Sequence, residues 1–197
     1  MRNGFLQDSA YWDEKLAAYL HDPPDKALRI PGHEERSRRL LDILGPLPQP
    51  DPDLIRMADQ TAAGMDRTQL PGHSARADLN GSIDFLGRPL LTHPTAREAV
   101  LPLQLDMTRE DCASVARAIE ALIEADIERV CHSFPGRPEL LSPARFHYVH
   151  HALRERLRRE NIGGLGGLWG RLPADTRIPD HSIWQHCGLA AAIYSCF

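Results

Sequence analysis

Leu16-Ala-Ala-Tyr-Leu-His-Asp-Pro-Pro-Asp-Lys-Ala-Leu28 is the stretch on which the fold turns. Upstream of it, Trp12, Leu16, Tyr19 and Leu20 recur at helical spacing over residues 11–22. Pro23-Pro24 cannot continue that helix, because proline lacks the backbone donor and clashes with the preceding turn. The helix therefore ends on His21-Asp22, and the end fixes the direction of an imidazole and a carboxylate. An adjacent His and Asp can bind one metal or two neighbouring ones. The dipeptide alone means little: with 10 histidines in 197 residues, chance supplies roughly one such pair. Asp180-His181 is a second pair, in reverse order.

Working outward, an arginine-rich helix is predicted over His33 to Leu44, followed by the stiff connection Gly45-Pro-Leu-Pro-Gln-Pro-Asp-Pro52. Asp53 to Arg67 reads as a helix with Leu54, Ile55, Ala58, Ala62 and Met65 on one stripe. Residues 68–108 hold many Pro and Gly and no sustained period. Loops are expected there, with a short hairpin pairing Ile83-Asp-Phe85 and Pro89-Leu-Leu91. Glu110 to His132 is the clearest amphipathic helix. Ser142-Pro143 matches an N-cap followed by a first-turn proline, opening a helix with Phe146, Val149, Leu153 and Leu157. A glycine-rich turn over 163–167 precedes a last helix starting near Asp180. The fold class is mainly α: one domain over 1–197, with a loop-rich insertion at 68–108 and no internal repeat.

Composition sets limits. Hydrophobic residues make up 42% and charged residues 25%, which suits a globular core. A net charge of -4 argues against a protein that coats duplex nucleic acid by charge alone. Four cysteines without CxxC spacing exclude the common zinc-ribbon patterns. No apolar run reaches membrane-spanning length and no signal peptide is present, so a reducing cytoplasm is the default compartment. The apolar, helix-like end Gly188 to Phe197 stops without a polar tail, which reads as a fragment of a longer protein.

Three places carry chemistry. His21-Asp22 is the first. The second is Asp59, which falls between Ile55 and Ala62 on the apolar stripe, where a carboxylate is costly unless ion-paired or metal-bound. An ion pair to Arg56 or Arg67 explains it as well as a metal does. His186 is the third; it shares a stripe with Ile183, Ala190 and Ile193, and a lone core histidine is more often a packed residue than a ligand. Together the set is rich in nitrogen and oxygen. It suits Mn, Ni, Co or Mg rather than a thiolate zinc site. His147, His150 and His151 share a helix, but without an intervening Glu they read as packing or surface residues.

Taken together with Ala58-Asp-Gln-Thr-Ala-Ala-Gly-Met-Asp-Arg67 and Leu172-Pro-Ala-Asp-Thr-Arg-Ile-Pro-Asp-His-Ser-Ile-Trp-Gln-His186, the opening stretch resembles the HD nuclease domain of the type III CRISPR effector large subunit, in its Cmr-like (III-B-like) form. The resemblance implies a circularly permuted HD-superfamily helical domain, in which His186 is the counterpart of the histidine that ordinarily precedes the His-Asp pair. It implies a metal-dependent nuclease cutting single-stranded DNA, with one or two divalent ions held by His21, Asp22, Asp59 and His186. Lys26 would touch the phosphate, one residue further along than in the commoner HD-x-x-K pattern. Arg67 would contact substrate or pair with Asp59. Asp180 would join the metal site or cap the last helix, and His181 would support it from behind. The implied partners are single-stranded DNA and, through a longer chain, the other subunits and guide RNA of the effector. Two alternatives remain open: a catalytically idle docking domain, and an HD phosphohydrolase acting on nucleotides. Metal content separates the first from both enzymes, and substrate choice separates the enzymes.

Overall fold

A computed structural model describes residues 8–45, 47, 51–66, 85–87, 89–93, 99–174 and 181–197. Within them the chain is helical, with one small hairpin. Helix α1 (Ser9–Tyr19) starts under an Asp8 cap that accepts the Tyr11 amide. It stops one turn earlier than the spacing predicts: Leu20 caps it, so His21 and Asp22 lie in the turn beyond rather than on the helix. The prolines that follow explain the early stop.

That turn is pinned from outside. Asp25 is buried and pairs with Arg36 of α2 (His33–Leu44) at 2.8 Å, while Ser37 of α2 donates to the Leu20 carbonyl. Burial raises the Asp25 carboxyl, and the Arg36 charge only partly offsets it. In helix α3 (Pro52–Asp66) Ala58 and Ala62 of the expected stripe are fully buried, with Leu54 and Ile55 half-buried.

The expected hairpin is corrected. Strand β1 (Leu90–Thr92) pairs antiparallel with β2 (Val100–Pro102), not with the 83–85 segment. Phe85 instead sits buried in a turn, its amide donating to Ala27 at 2.8 Å. An aromatic ring beside a core opening is buried in preference to being paired in an exposed ladder. Ile83, Asp84 and most of the 68–108 insertion lie outside the described residues.

Helix α4 (Asp111–His132) buries Val115, Ile119, Ile123 and Ile127. Next, α5 (Leu141–His147) runs through a single π-turn over Tyr148–Ala152 into α6 (Leu153–Arg159). A 3-10 turn at Pro138–Leu140 leads into α5, so Ser142 lies buried inside the first turn and is not its cap. Phe146, Val149, Leu153 and Leu157 all face the core, as the spacing predicts. The following glycine-rich turn needs its glycine: a Cβ on Gly163 would stand 2.7 Å from Val115 of α4, at a φ of +62°. Trp169 is buried beside it, donating to the Ile162 carbonyl at 2.9 Å.

Helix α7 (Ile183–Tyr194) opens with a capping box: the Ser182 hydroxyl accepts the Gln185 amide, and the Gln185 side chain accepts the Ser182 amide. Ser182 thus takes the capping role weighed for Asp180, which lies outside the described residues. The most extensive helix pairing among the described residues is α3 with α7, and α1 packs on both α5 and α7. Those contacts bring residues 21, 59 and 186 to one place.

Candidate metal centre

Each side chain arrives from a separate element. His21 and Asp22 come from the turn after α1, Asp59 from the middle of α3, and His186 from the first turn of α7. His21, Asp59 and His186 offer ligand atoms that all lie within 4.8 Å of one another. His21 Nε2 is 3.4 Å from Asp59 Oδ1 and 3.5 Å from Asp22 Oδ2. His186 Nε2 is 3.0 Å from Asp59 Oδ1 and 3.9 Å from Asp22 Oδ2. Two ligands on one ion with bonds near 2.1 Å stand about 3.0–3.4 Å apart in octahedral or tetrahedral geometry. The cluster is therefore close to coordination size before anything binds.

The protonation pattern argues the same way. His21 Nδ1 lies 2.8 Å from the Ala18 carbonyl, which can only accept, so the proton sits on Nδ1. Nε2 is then the ring atom left facing the cluster, buried and without a hydrogen-bond partner among the described residues. It faces two carboxylate oxygens. Convergent lone pairs repel unless a cation or a proton sits among them. Backbone anchoring of the far ring nitrogen is also how metal-ligating histidines are oriented.

Asp59 is only partly buried. Burial raises its carboxyl, but the hydrogen bond with His186 Nε2 at 3.0 Å and the nearby His21 imidazole outweigh this and hold it far below the usual carboxylate range. Neither arginine is its partner among the described residues: Arg56 pairs with Asp53 at 2.9 Å, and Arg67 lies outside them. Asp22 is deeply buried and receives Lys26 Nζ on Oδ2 at 2.5 Å.

One residue escaped the sequence. His33, at the start of α2, sets Nε2 3.6 Å from Asp22 Oδ1, and its Nδ1 lies 2.9 Å from the Ile30 carbonyl. It repeats the anchoring of His21 on the other oxygen of Asp22. No periodicity marks it, because the 23–32 turn, not helix spacing, folds it back. His181 stands behind His186, with ring centroids 6.4 Å apart.

The neighbouring thiol is not part of the donor set. Cys187 Sγ donates to the Asp22 carbonyl at 3.7 Å, and burial pushes its thiol well above the usual range, so it stays protonated. His147, His150 and His151 gather elsewhere, around Phe146; His150 stacks on that ring with centroids 5.4 Å apart. Beside the cluster opens a cleft of about 710 Å³ between α2 and α3, with His21, Asp22, Lys26, His33 and Asp59 at its base.

No family model matches the chain. A curated relative does: the CRISPR system Cmr subunit Cmr2 of Pyrococcus furiosus is 30% identical over 213 aligned positions. That alignment takes in 91% of this chain but 24% of the relative. By sequence, then, the chain is similar over nearly its whole length to a segment making up about a quarter of a Cmr2 subunit.

Proposed function

We propose that the chain is a metal-dependent phosphodiesterase that cuts single-stranded DNA, working within a CRISPR defence complex as part of a longer subunit. The observation that carries it is the buried, unpartnered Nε2 of His21 aimed at the carboxylates of Asp22 and Asp59 beside His186. The likeness to a Cmr2 subunit supports the defence setting and a multi-subunit Cmr assembly as partner.

The donors fit a divalent ion. His21, Asp59 and His186 would hold it, with Asp22 at the edge; imidazoles beside carboxylates favour Mn, Ni or Co, and accept Mg less well. When bound, the ion supplies Lewis acidity and a water that loses its proton near neutral pH. The protein does the rest. His21 and His33 are held through Nδ1 by backbone carbonyls so that each sets Nε2 toward one oxygen of Asp22. Lys26 stands on Asp22 Oδ2, with its ammonium on the cleft side, placed for a non-bridging phosphate oxygen.

The test uses metal-stripped protein with labelled single- and double-stranded DNA, adding Mn, Ni, Co or Mg, beside a folded His21→Ala/Asp22→Ala variant. Metal-dependent cutting of single strands, lost in the variant, is the expected result. Absence of cutting with every metal sinks the autonomous nuclease and leaves a docking domain.

A further inference from the structure

The cleft beside the cluster has a chemistry of its own. Lys26, Arg38 and Arg56 line it, and Leu41, Leu47 and Ile55 give it an apolar wall. Two of the cations are engaged: Lys26 on Asp22 and Arg56 on Asp53. Arg38 is exposed on α2, and among the described residues no ion pair holds it. Four carboxylates, Asp22, Glu34, Asp42 and Asp59, also face the cleft, so with neutral histidines it carries one net negative charge. A strand of phosphates entering that cleft is repelled. One divalent ion in the cluster reverses the sign, because the ion is the largest local charge.

We infer that the cleft seats the phosphate next to the one being cleaved on Arg38, with its base against Leu41, Leu47 and Ile55. The divalent ion acts as the switch that lets a single strand enter. This rests on the phosphodiesterase reading of the same site and adds the groove that makes it act on a polymer. A two-charge change about 6 Å from a phosphate, in high dielectric, is worth roughly tenfold in affinity. A single-strand phosphate contact contributes about 0.7 to the slope of log affinity against log salt.

The test is fluorescence anisotropy of a labelled oligothymidylate on the full chain, in Mn or in chelator, with strand length checked on a gel after each titration. Binding should be about tenfold tighter in Mn, and His21→Ala/Asp59→Ala should lose that gain. Arg38→Gln should lower the salt slope by about 0.7 and weaken binding, Arg38→Glu more so, while Arg159→Glu on α6 binds as wild type. Circular dichroism checks folding, and Arg38→Gln adds no new charge between Glu34 and Asp42. A folded Arg38→Gln protein with wild-type affinity and slope overturns the assignment, as does equal binding in Mn and chelator. If Arg38- and Mn-dependent binding occurs without hydrolysis of any diester, the nuclease reading falls and the cleft stands. If hydrolysis proceeds while the Arg38 variants bind normally, the cleft alone falls.

Discussion

At the scale of single residues, the chain spends its buried charge in a few places and satisfies each differently. Asp126 on α4 is buried, receiving Arg156 Nε at 2.9 Å, the Tyr148 hydroxyl at 3.0 Å and the Arg129 guanidinium. Burial raises its carboxyl, but these donors outweigh it and the group sits below its ordinary value. Burial first, then the charge and hydrogen bond of Asp126, push the Tyr148 hydroxyl up against the opposing Arg156 and Arg129 charges. A carboxyl depressed in the folded state stabilises above its unfolded pKa, and that stability is lost as pH falls through the folded value. Asp126→Asn should therefore cost about 2–3 kcal/mol at neutral pH. The gap from wild type should close below about pH 4, as urea melts at several pH values would show. A gap that persists unchanged in acid would mean packing, not charge, holds Asp126. The cluster at His21, Asp59 and His186 differs in kind: His186 bonds Asp59, but the buried Nε2 of His21 faces carboxylate oxygens without a hydrogen bond, an arrangement a cation would complete.

At the scale of elements, α3 and α7 decide whether that cluster exists. Ala58 and Ala62 on α3, with Ala190 and Ala191 on α7, are buried, and these two helices share the most extensive contact among the described helices. Small side chains let the backbones approach until Asp59 reaches His186. Ala62→Leu should overpack this contact, costing about 1–3 kcal/mol. It should also weaken Mn binding, measured by calorimetry, although residue 62 touches no ion; unchanged affinity in a destabilised protein would separate packing from the site. The sequence made these helices legible because their stripes are long and regular. Their junctions were less so. The first helix ends before His21 because Leu20 caps it, and Ser142 lies inside α5 because a 3-10 turn precedes it. Boundaries depend on which backbone groups find partners across the fold, and period cannot show that.

At the scale of the whole molecule, an ion would tie together three chain regions separated by tens of residues, so binding and folding are linked. An ion present at about 100 times its dissociation constant adds about 2.7 kcal/mol. For a chain of this size that raises Tm by roughly 5–11 °C. Scanning calorimetry of chelator-treated protein, with and without Mn or Ni, reads this directly. No rise with either metal would leave the cluster a proton-linked polar network. Among the described residues no helix is long and apolar enough to cross a membrane.

The sequence alone determined the mainly α class and the course of the principal helices, and through its family resemblance it singled out His21, Asp22, Asp59 and His186 as candidates. Helical period and proline breaks are local properties, and motif order along the chain survives without coordinates. Only the tertiary structure decided that Asp59 turns to the histidines instead of Arg56, that Lys26 is bound to Asp22, and that His33 joins the far carboxylate oxygen. These depend on the approach of α3 to α7 and on a turn pinned by Asp25, Arg36 and Ser37. Distances between residues far apart in the chain follow from packing, which no local pattern encodes.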